Sequence, residues 1–508
     1  MKRYNRAQNA KRNIFFGVLN RIITQILPFC IRTVIINELG EQYLGVSGLF
    51  TSVLQVLNLS ELGFGNAMVY SMYRPIAEED TDRICALLNL YKKVYRIIGI
   101  AIFVFGFIVL PFIPKLVKAG YPEEINLYII YVVYLFNTAI SYLLYAYKGS
   151  LLSAHQRNDI ENIISLIMCA FQYGIQIIIL VIYKNYYLYI IIMPAVTIIT
   201  NLVRSKIVDR KYPEYICRGK LEKNILVDIM KRVSALFGHQ LAYTLINSAD
   251  NIVISAFLGL AMVAMYNNYY LVLSAIISFV SIIITSITAG IGNSMVVETV
   301  EKNKKDLKKF SLFMHWLVGW CSICLFCLYQ PFIQLWMGKT MLLPIDTVIF
   351  LVFYFYISEI RRIINTFKNA AGMWWVDKFK PYVVVLADIV LDIVLVQIIG
   401  VNGVIIASII SVLFIYIPWE TNVFFKFYFK ESAVPYYWEM LKRCILFLVI
   451  GFFTFIICNI VQCEGVLGLL QRSCICVIVP NIVLLAIYFR TSEFKGLLDL
   501  LKGRKIYG

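Results

Sequence analysis

Charged side chains are scarce: Asp, Glu, Lys and Arg together make up 15% of the 508 residues, and no stretch is polar enough to form a soluble domain. A typical soluble domain is about 25% charged and 45–50% apolar. Here 60% of residues are hydrophobic. That much apolar surface needs lipid as part of its solvent. There are only three histidines: His239 reads as a packing residue, and His155 and His315, near the cytoplasmic ends of their runs, as bystanders. No GxxxxGK[ST] loop is present, so no ATP-driven motor of that kind is encoded. The twelve cysteines sit mostly within apolar runs, including Cys321, Cys324, Cys327, Cys474 and Cys476. They read as small hydrophobes, not as a disulfide framework or a zinc site, and no metal or cofactor is expected. Lys2, Arg3, Arg6, Lys11 and Arg12 precede the first apolar run, as in a signal peptide. That run is too long, holds Arg21 and Arg32, and has no small-residue cleavage site, so it reads as an uncleaved helix.

What is present is a series of apolar runs, each near the 20 residues a spanning helix needs. They lie near 14–37, 43–73, 94–116, 125–150, 160–183, 186–206 and 233–257. Seven more lie near 261–295, 309–335, 342–367, 379–399, 401–425, 441–461 and 466–489. Of the 47 Lys and Arg, 40 fall on the side holding the termini, 5 on the other side, and two, Arg21 and Arg32, inside the first run. Orientation follows that asymmetry, so both termini are expected in the cytoplasm. The net charge of +17 is thereby spent on basic inner loops, not on nucleic acid.

The halves show weak self-similarity. INELG (36–40) matches SAFLG (255–259), and GFGNAM (63–68) matches GIGNSM (290–295). Six runs per half give both halves one orientation, a parallel repeat of the kind transporters use with the site at the repeat interface. The expected organisation is an all-α membrane protein of about fourteen helices. An N-lobe (1–210), a basic linker (211–232) and a C-lobe (233–430) are followed by two further helices and a basic tail (431–508).

The stretches ELGEQYLGVSGLF (38–50), LSELGFGNAMVY (59–70), NSADNIVISAFLG (247–259), AMYNNYYLV (264–272) and PFIQLWMG (331–338) resemble the polysaccharide flippases. These belong to the multidrug/oligosaccharidyl-lipid/polysaccharide exporter superfamily. The resemblance implies two facing six-helix lobes and a polyprenyl-diphosphate-linked glycan carried from the inner to the outer leaflet. It implies a bacterial cytoplasmic membrane, a polytopic non-enzyme, and glycan polymerase machinery as a partner.

Ionisable residues in spanning helices are costly and mark pathways or partners. Arg21, Gln25, Pro28 and Arg32 share one face of the first run, the arginines about 16 Å apart along the axis. His239, Tyr243, Asn247 and Asp250 stripe the seventh run. Thr51, Gln55, Asn58 and Glu61 stripe the second, and Glu61 is expected to pair with Arg21. Asp388 and Asp392 are one turn apart in the eleventh run, and Lys148 ends the fourth. Guanidinium binds phosphate oxygens bidentately, so Arg21, Arg32 and Lys148 are the expected diphosphate ligands. Gln25, Asn58, Tyr243 and Asn247 are expected to line the cavity or touch sugar, and Glu61, Asp250, Asp388 and Asp392 to serve as charge partners or ion-coupling groups. Coupling to protons, Na⁺ or the membrane potential stays open. A drug/cation antiporter, a peptidoglycan-precursor flippase and a membrane-embedded glycosyltransferase or polymerase are the alternatives. The last is disfavoured because the loop holding Glu38 and Glu41 is too short to build a catalytic site.

Overall fold

The computed structural model describes residues 6–58, 64–118, 121–373, 376–460 and 465–501. Every expected apolar run is mainly helical where it is described, and no strand occurs among the described residues. The first half runs α1 (Arg6–Glu38), α2 (Glu41–Leu57), α3 (Phe64–Ala77), α4 (Thr81–Val109), α5 (Leu127–Leu143), α6 (Gly149–Ala154), α7 (Asn158–Tyr183) and α8 (Tyr186–Lys211). Then come α9 (Lys223–Leu258), α10 (Leu260–Val297), α11 (Val300–Met337), α12 (Ile345–Ala370) and α13 (Lys380–Ile399). The last are α14 (Val401–Ile410), α15 (Ile417–Phe424), α16 (Val434–Ile460), α17 (Gly465–Tyr488) and α18 (Ser492–Leu501).

Ten helical segments among the described residues are each long and apolar enough to cross a membrane, and the pair α5–α6, bent by 47°, makes an eleventh. The three other expected crossings are helical where they are described but are not among these eleven. The second run is divided between α2 and α3. In α9 the stretch Thr244–Leu258 is apolar, and most side chains from 232 to 243 lie outside the described residues. The α12 segment carries Asp346, Glu359, Arg361, Arg362 and Lys368.

The chain is a multi-pass membrane protein, and its helices are built for lipid outside and polar contacts inside. On α16, Leu448, Phe452 and Ile460 are exposed, whereas Arg443 and Thr454 are buried. A water-soluble helix shows the opposite pattern. Prolines 28, 194, 331 and 480 lie inside α1, α8, α11 and α17, as spanning helices tolerate when neighbours satisfy the freed carbonyls.

The chain divides into two compact units, Met1–Ala264 and Met265–Gly508. That division lies one helix beyond the linker expected at 211–232. In the first unit α1 packs on α7, α4 on α5, α5 on α8, and α9 along α2. Just beyond α9 the approach is tight: a Cβ on Gly45 of α2 would sit 2.1 Å from the carbonyl oxygen of Leu260, the first residue of α10, so only glycine fits. In the second unit α11 is central, touching α12, α16, α17 and α18, while α13 and α14 form a hairpin. The hairpin turns at Gly400, which has a φ of 61°, and a Cβ on Gly403 would meet the Leu395 carbonyl oxygen at 2.3 Å.

Candidate functional site

In the first unit, Arg21 is exposed while Gln25 and Arg32 are half-buried on α1. The guanidinium of Arg32 lies within electrostatic reach of the Tyr189 and Tyr173 hydroxyls, on α8 and α7. These belong to a buried polar seam. Tyr134 donates to Ser47 Oγ at 3.0 Å, Tyr186 donates to the Tyr43 carbonyl at 3.2 Å, and Gln176 Nε2 donates to the Tyr189 carbonyl at 3.1 Å. The seam gives Arg32 a polar surrounding within the helix bundle. Sequence reasoning missed these tyrosines, because 34 tyrosines spread over apolar runs look like interface belts. Gln172 and Gln176, one turn apart in an apolar run, were the available signal.

Asn58 ends α2 with its Oδ1 buried and without a hydrogen-bond partner among the described residues. Glu61 lies outside the described residues, and so does its expected pairing with Arg21. Lys148 sits at the α5–α6 bend, where Tyr145 adopts a left-handed conformation. Its ammonium is 2.6 Å from Asp209 and 2.8 Å from Ser205 Oγ, so its charge is already met within the unit.

On α9, Asn247 and Asp250 are half-buried, and the side chains of Tyr243 and His239 are outside the described set. The C-terminal half of α9 is zipped to its neighbours. Asn251 Nδ2 donates to Ser52 Oγ at 2.9 Å, and Ser248 Oγ donates to Gln55 Oε1 at 3.3 Å. Ser255 Oγ donates to the Leu116 carbonyl at 2.7 Å, and Lys118 Nζ to the Phe257 carbonyl at 2.6 Å. Helices α2 and α9 thus meet through Gln55 of the second-run stripe and through Ser52, Ser248 and Asn251, which lie beside the expected stripes.

In the second unit, Asp388 and Asp392 are both fully buried on one face of α13. Asp388 approaches Ser411, the first residue of a π-helical segment, Ser411–Tyr416. Such π-turns often mark functional positions.

A larger charge network was not anticipated. Glu420 of α15 lies 2.7 Å from Arg361 and 2.6 Å from Lys380, and Lys380 is 2.7 Å from Asp377, which also pairs with Lys368. Lys368, Asp377, Lys380 and Glu420 are all buried. Burial alone would raise the Asp377 carboxyl; the ammoniums of Lys380 and Lys368 outweigh it and hold the group below the usual carboxylate range. The network ties α12, α13 and α15 together. Its members are up to 59 residues apart, so only topology could have revealed it. Glu420→Gln leaves Arg361 and Lys380 short of a counter-charge and is expected to destabilise the protein by about 3 kcal/mol. Thermal unfolding in detergent measures this, and an unchanged midpoint contradicts it.

Comparison with known proteins extends the picture. Residues 10–289 match the family model described as polysaccharide biosynthesis protein. No curated protein sequence matches the chain. Among solved structures, the lipid II flippase MurJ in an inward closed conformation aligns over 94% of this chain and 99% of its own, with a TM-score of 0.69 at 15% identity. A multidrug resistance MATE family transporter of the MOP superfamily, inward-facing, aligns over 78% of this chain and 93% of its own, with a TM-score of 0.59 at 15% identity. A variant of the Vibrio cholerae MATE transporter VcmN aligns over 82% and 97%, with a TM-score of 0.56 at 14% identity. Those identities speak for the fold, and the family match covers more than half the chain. The all-helical, multi-pass chain therefore belongs to the polysaccharide biosynthesis protein family and has the fold of the MOP-superfamily flippases and transporters.

Proposed function

We propose that the protein carries a polyprenyl-diphosphate-linked oligosaccharide from the inner to the outer leaflet of a bacterial cytoplasmic membrane by alternating access. Both termini lie in the cytoplasm, and the protein is a transporter, not an enzyme. The observation that carries the reading is Arg32, a half-buried guanidinium within electrostatic reach of Tyr173 and Tyr189 in a polysaccharide-family membrane protein. A diphosphate cannot cross about 30 Å of hydrocarbon unaided. Arginine replaces its hydration with charge-assisted, bidentate hydrogen bonds. Arg21 extends the same stripe, while Gln25, Asn58 and Asn247 are suited to sugar hydroxyls. The lipid tail stays in the apolar phase. A groove of about 330 Å³ between α11, α12 and α16, lined by Phe326, Phe350, Phe353, Phe447 and Phe452, offers it a surface.

Moving a dianionic headgroup outward gains roughly 4–5 kcal/mol at an inside-negative 100 mV. The membrane potential can therefore bias export. The buried Asp388 and Asp392 are the groups we assign to cation or proton coupling. Asp388→Asn is expected to remove the ion dependence of transport by about tenfold or more while substrate binding persists. Vesicle uptake with and without a Na⁺ or proton gradient decides this; a wild type indifferent to both gradients contradicts the coupling.

The same carboxylates favour a second reading, a cation antiporter, which binding of a cationic dye lost in Asp388→Asn would support. The function itself is tested by depleting the protein in its native host. A polyprenyl-diphosphate glycan should accumulate in the inner leaflet, and mass spectrometry then separates an oligosaccharide repeat from a peptidoglycan precursor. No accumulation of any such lipid contradicts the proposal.

A further inference from the structure

Three helices of the second unit bring cysteines from distant parts of the sequence to one point. Cys327 comes from α11, Cys458 from α16 and Cys476 from α17. All three are buried, and their sulfur atoms lie within 4.8 Å of one another, with Cys458 Sγ and Cys476 Sγ 3.8 Å apart. As isolated small hydrophobes they have no reason to converge. The surroundings are not simply apolar either. A polar cleft of about 470 Å³ reaches the cluster, lined by Cys327, Gln330, Gln334, Asn459 and Arg472. Arg472 lies one turn before Cys476 on α17, and its Nε is buried with no hydrogen-bond partner among the described residues. A buried guanidinium nitrogen with nothing to bind points to negative charge that is absent while the three thiols are protonated.

We propose that Cys327, Cys458 and Cys476 form a three-thiolate site for copper(I), with Arg472 as its electrostatic partner. Soft thiolate ligands select copper(I) and zinc. Zinc sites are almost always four-coordinate, and no fourth Cys, His, Asp or Glu joins the cluster among the described residues. Three converging sulfurs, with no fourth such ligand among the described residues, therefore favour copper(I). Binding balances as one Cu⁺ and three thiols giving a tris-thiolate complex of net charge −2 and three released protons. Arg472 offsets part of that charge, and affinity rises with pH because protons leave. The cleft supplies the entry path. Bound copper clips α16 and α17 to α11, so this site acts on the anchorage of the last two spanning helices and is independent of the flippase reading.

The test uses the full-length protein in detergent, anaerobically, with a copper(I) chelator as competitor. The wild type is expected to take up one equivalent of copper(I) at the cluster, with a rise in thermal midpoint. Each of C327S, C458S and C476S should weaken that uptake about 100-fold or more, and R472Q by about tenfold, while C30S and C474S should not. A C327A/C458A/C476A variant that binds copper as the wild type does overturns the site. Because such variants can fold poorly, copper-edge X-ray absorption on the wild type gives a second reading: three sulfur ligands are expected, and nitrogen or oxygen ligation overturns the proposal. Thiol counting on the unfolded, chelator-treated protein should find all twelve cysteines reactive; ten reactive thiols and a Cys458–Cys476 disulfide overturn it as well.

Discussion

Arg32→Gln is expected to slow lipid-linked glycan flipping by about 10²–10⁴-fold with the thermal midpoint nearly unchanged. Two charge-assisted hydrogen bonds to a phosphate are lost, each worth about 1.5–3 kcal/mol. The midpoint should hold because Arg32 is half-buried in a polar niche. Its neighbours Tyr173 and Tyr189 are neutral hydroxyls that need no counter-charge. Arg32→Lys keeps the charge but loses the planar fork, and is expected to retain an intermediate rate. Arg21→Gln should cost less, since Arg21 is exposed and solvent competes for its bonds. Flipping rates of the three variants in proteoliposomes check the order. Equal rates in wild type and Arg32→Gln remove Arg32 from the pathway.

A covalent link between α2 and α9 is expected to abolish transport reversibly. Asn251 and Ser52 touch at 2.9 Å, in the middle of a zipper that also joins Ser248 to Gln55 and Ser255 to the Leu116 carbonyl. The sequence repeat makes α9 the counterpart of α1 and the first helix of the second half, yet here it packs along α2. Alternating access by two repeated halves requires that such a contact open once per cycle. S52C/N251C, oxidised, should lose at least 95% of transport (roughly 2 kcal/mol or more in rate terms) and recover it on reduction. Either single cysteine should behave as wild type. Full transport in a protein shown by mass spectrometry to be cross-linked means that this contact stays shut throughout the cycle.

The crossings were legible because each lipid-facing segment announces itself by hydropathy. Their ends were not. The run expected from 94 begins in fact at Thr81, capped by Asp80, and that expected from 309 begins at Val300, capped by Thr299. Arg83, Lys92 and Lys93 masked the first turns of α4, and Lys302 to Lys309 those of α11, since a helix continues past the hydrocarbon into water. Half of the supposed linker at 211–232 is likewise the start of α9. Among site residues, Arg32 was visible as a charge in an apolar run, and Asp388 and Asp392 as a pair one turn apart. The tyrosine seam, the Arg361–Glu420–Lys380–Asp377–Lys368 network and the cysteine cluster were not visible. Their members sit on different helices, and helical periodicity says which residues share a face but not which face meets which neighbour.

The most direct test is flipping of a short-chain fluorescent polyprenyl-diphosphate disaccharide in proteoliposomes holding the purified protein. The account predicts that the label crosses the bilayer with wild-type protein, that the matching monophosphate and uncharged lipids cross at least tenfold more slowly, and that Arg32→Gln stops the diphosphate lipid. Wild-type protein that leaves the diphosphate lipid in its starting leaflet, or moves all three headgroups equally, contradicts it.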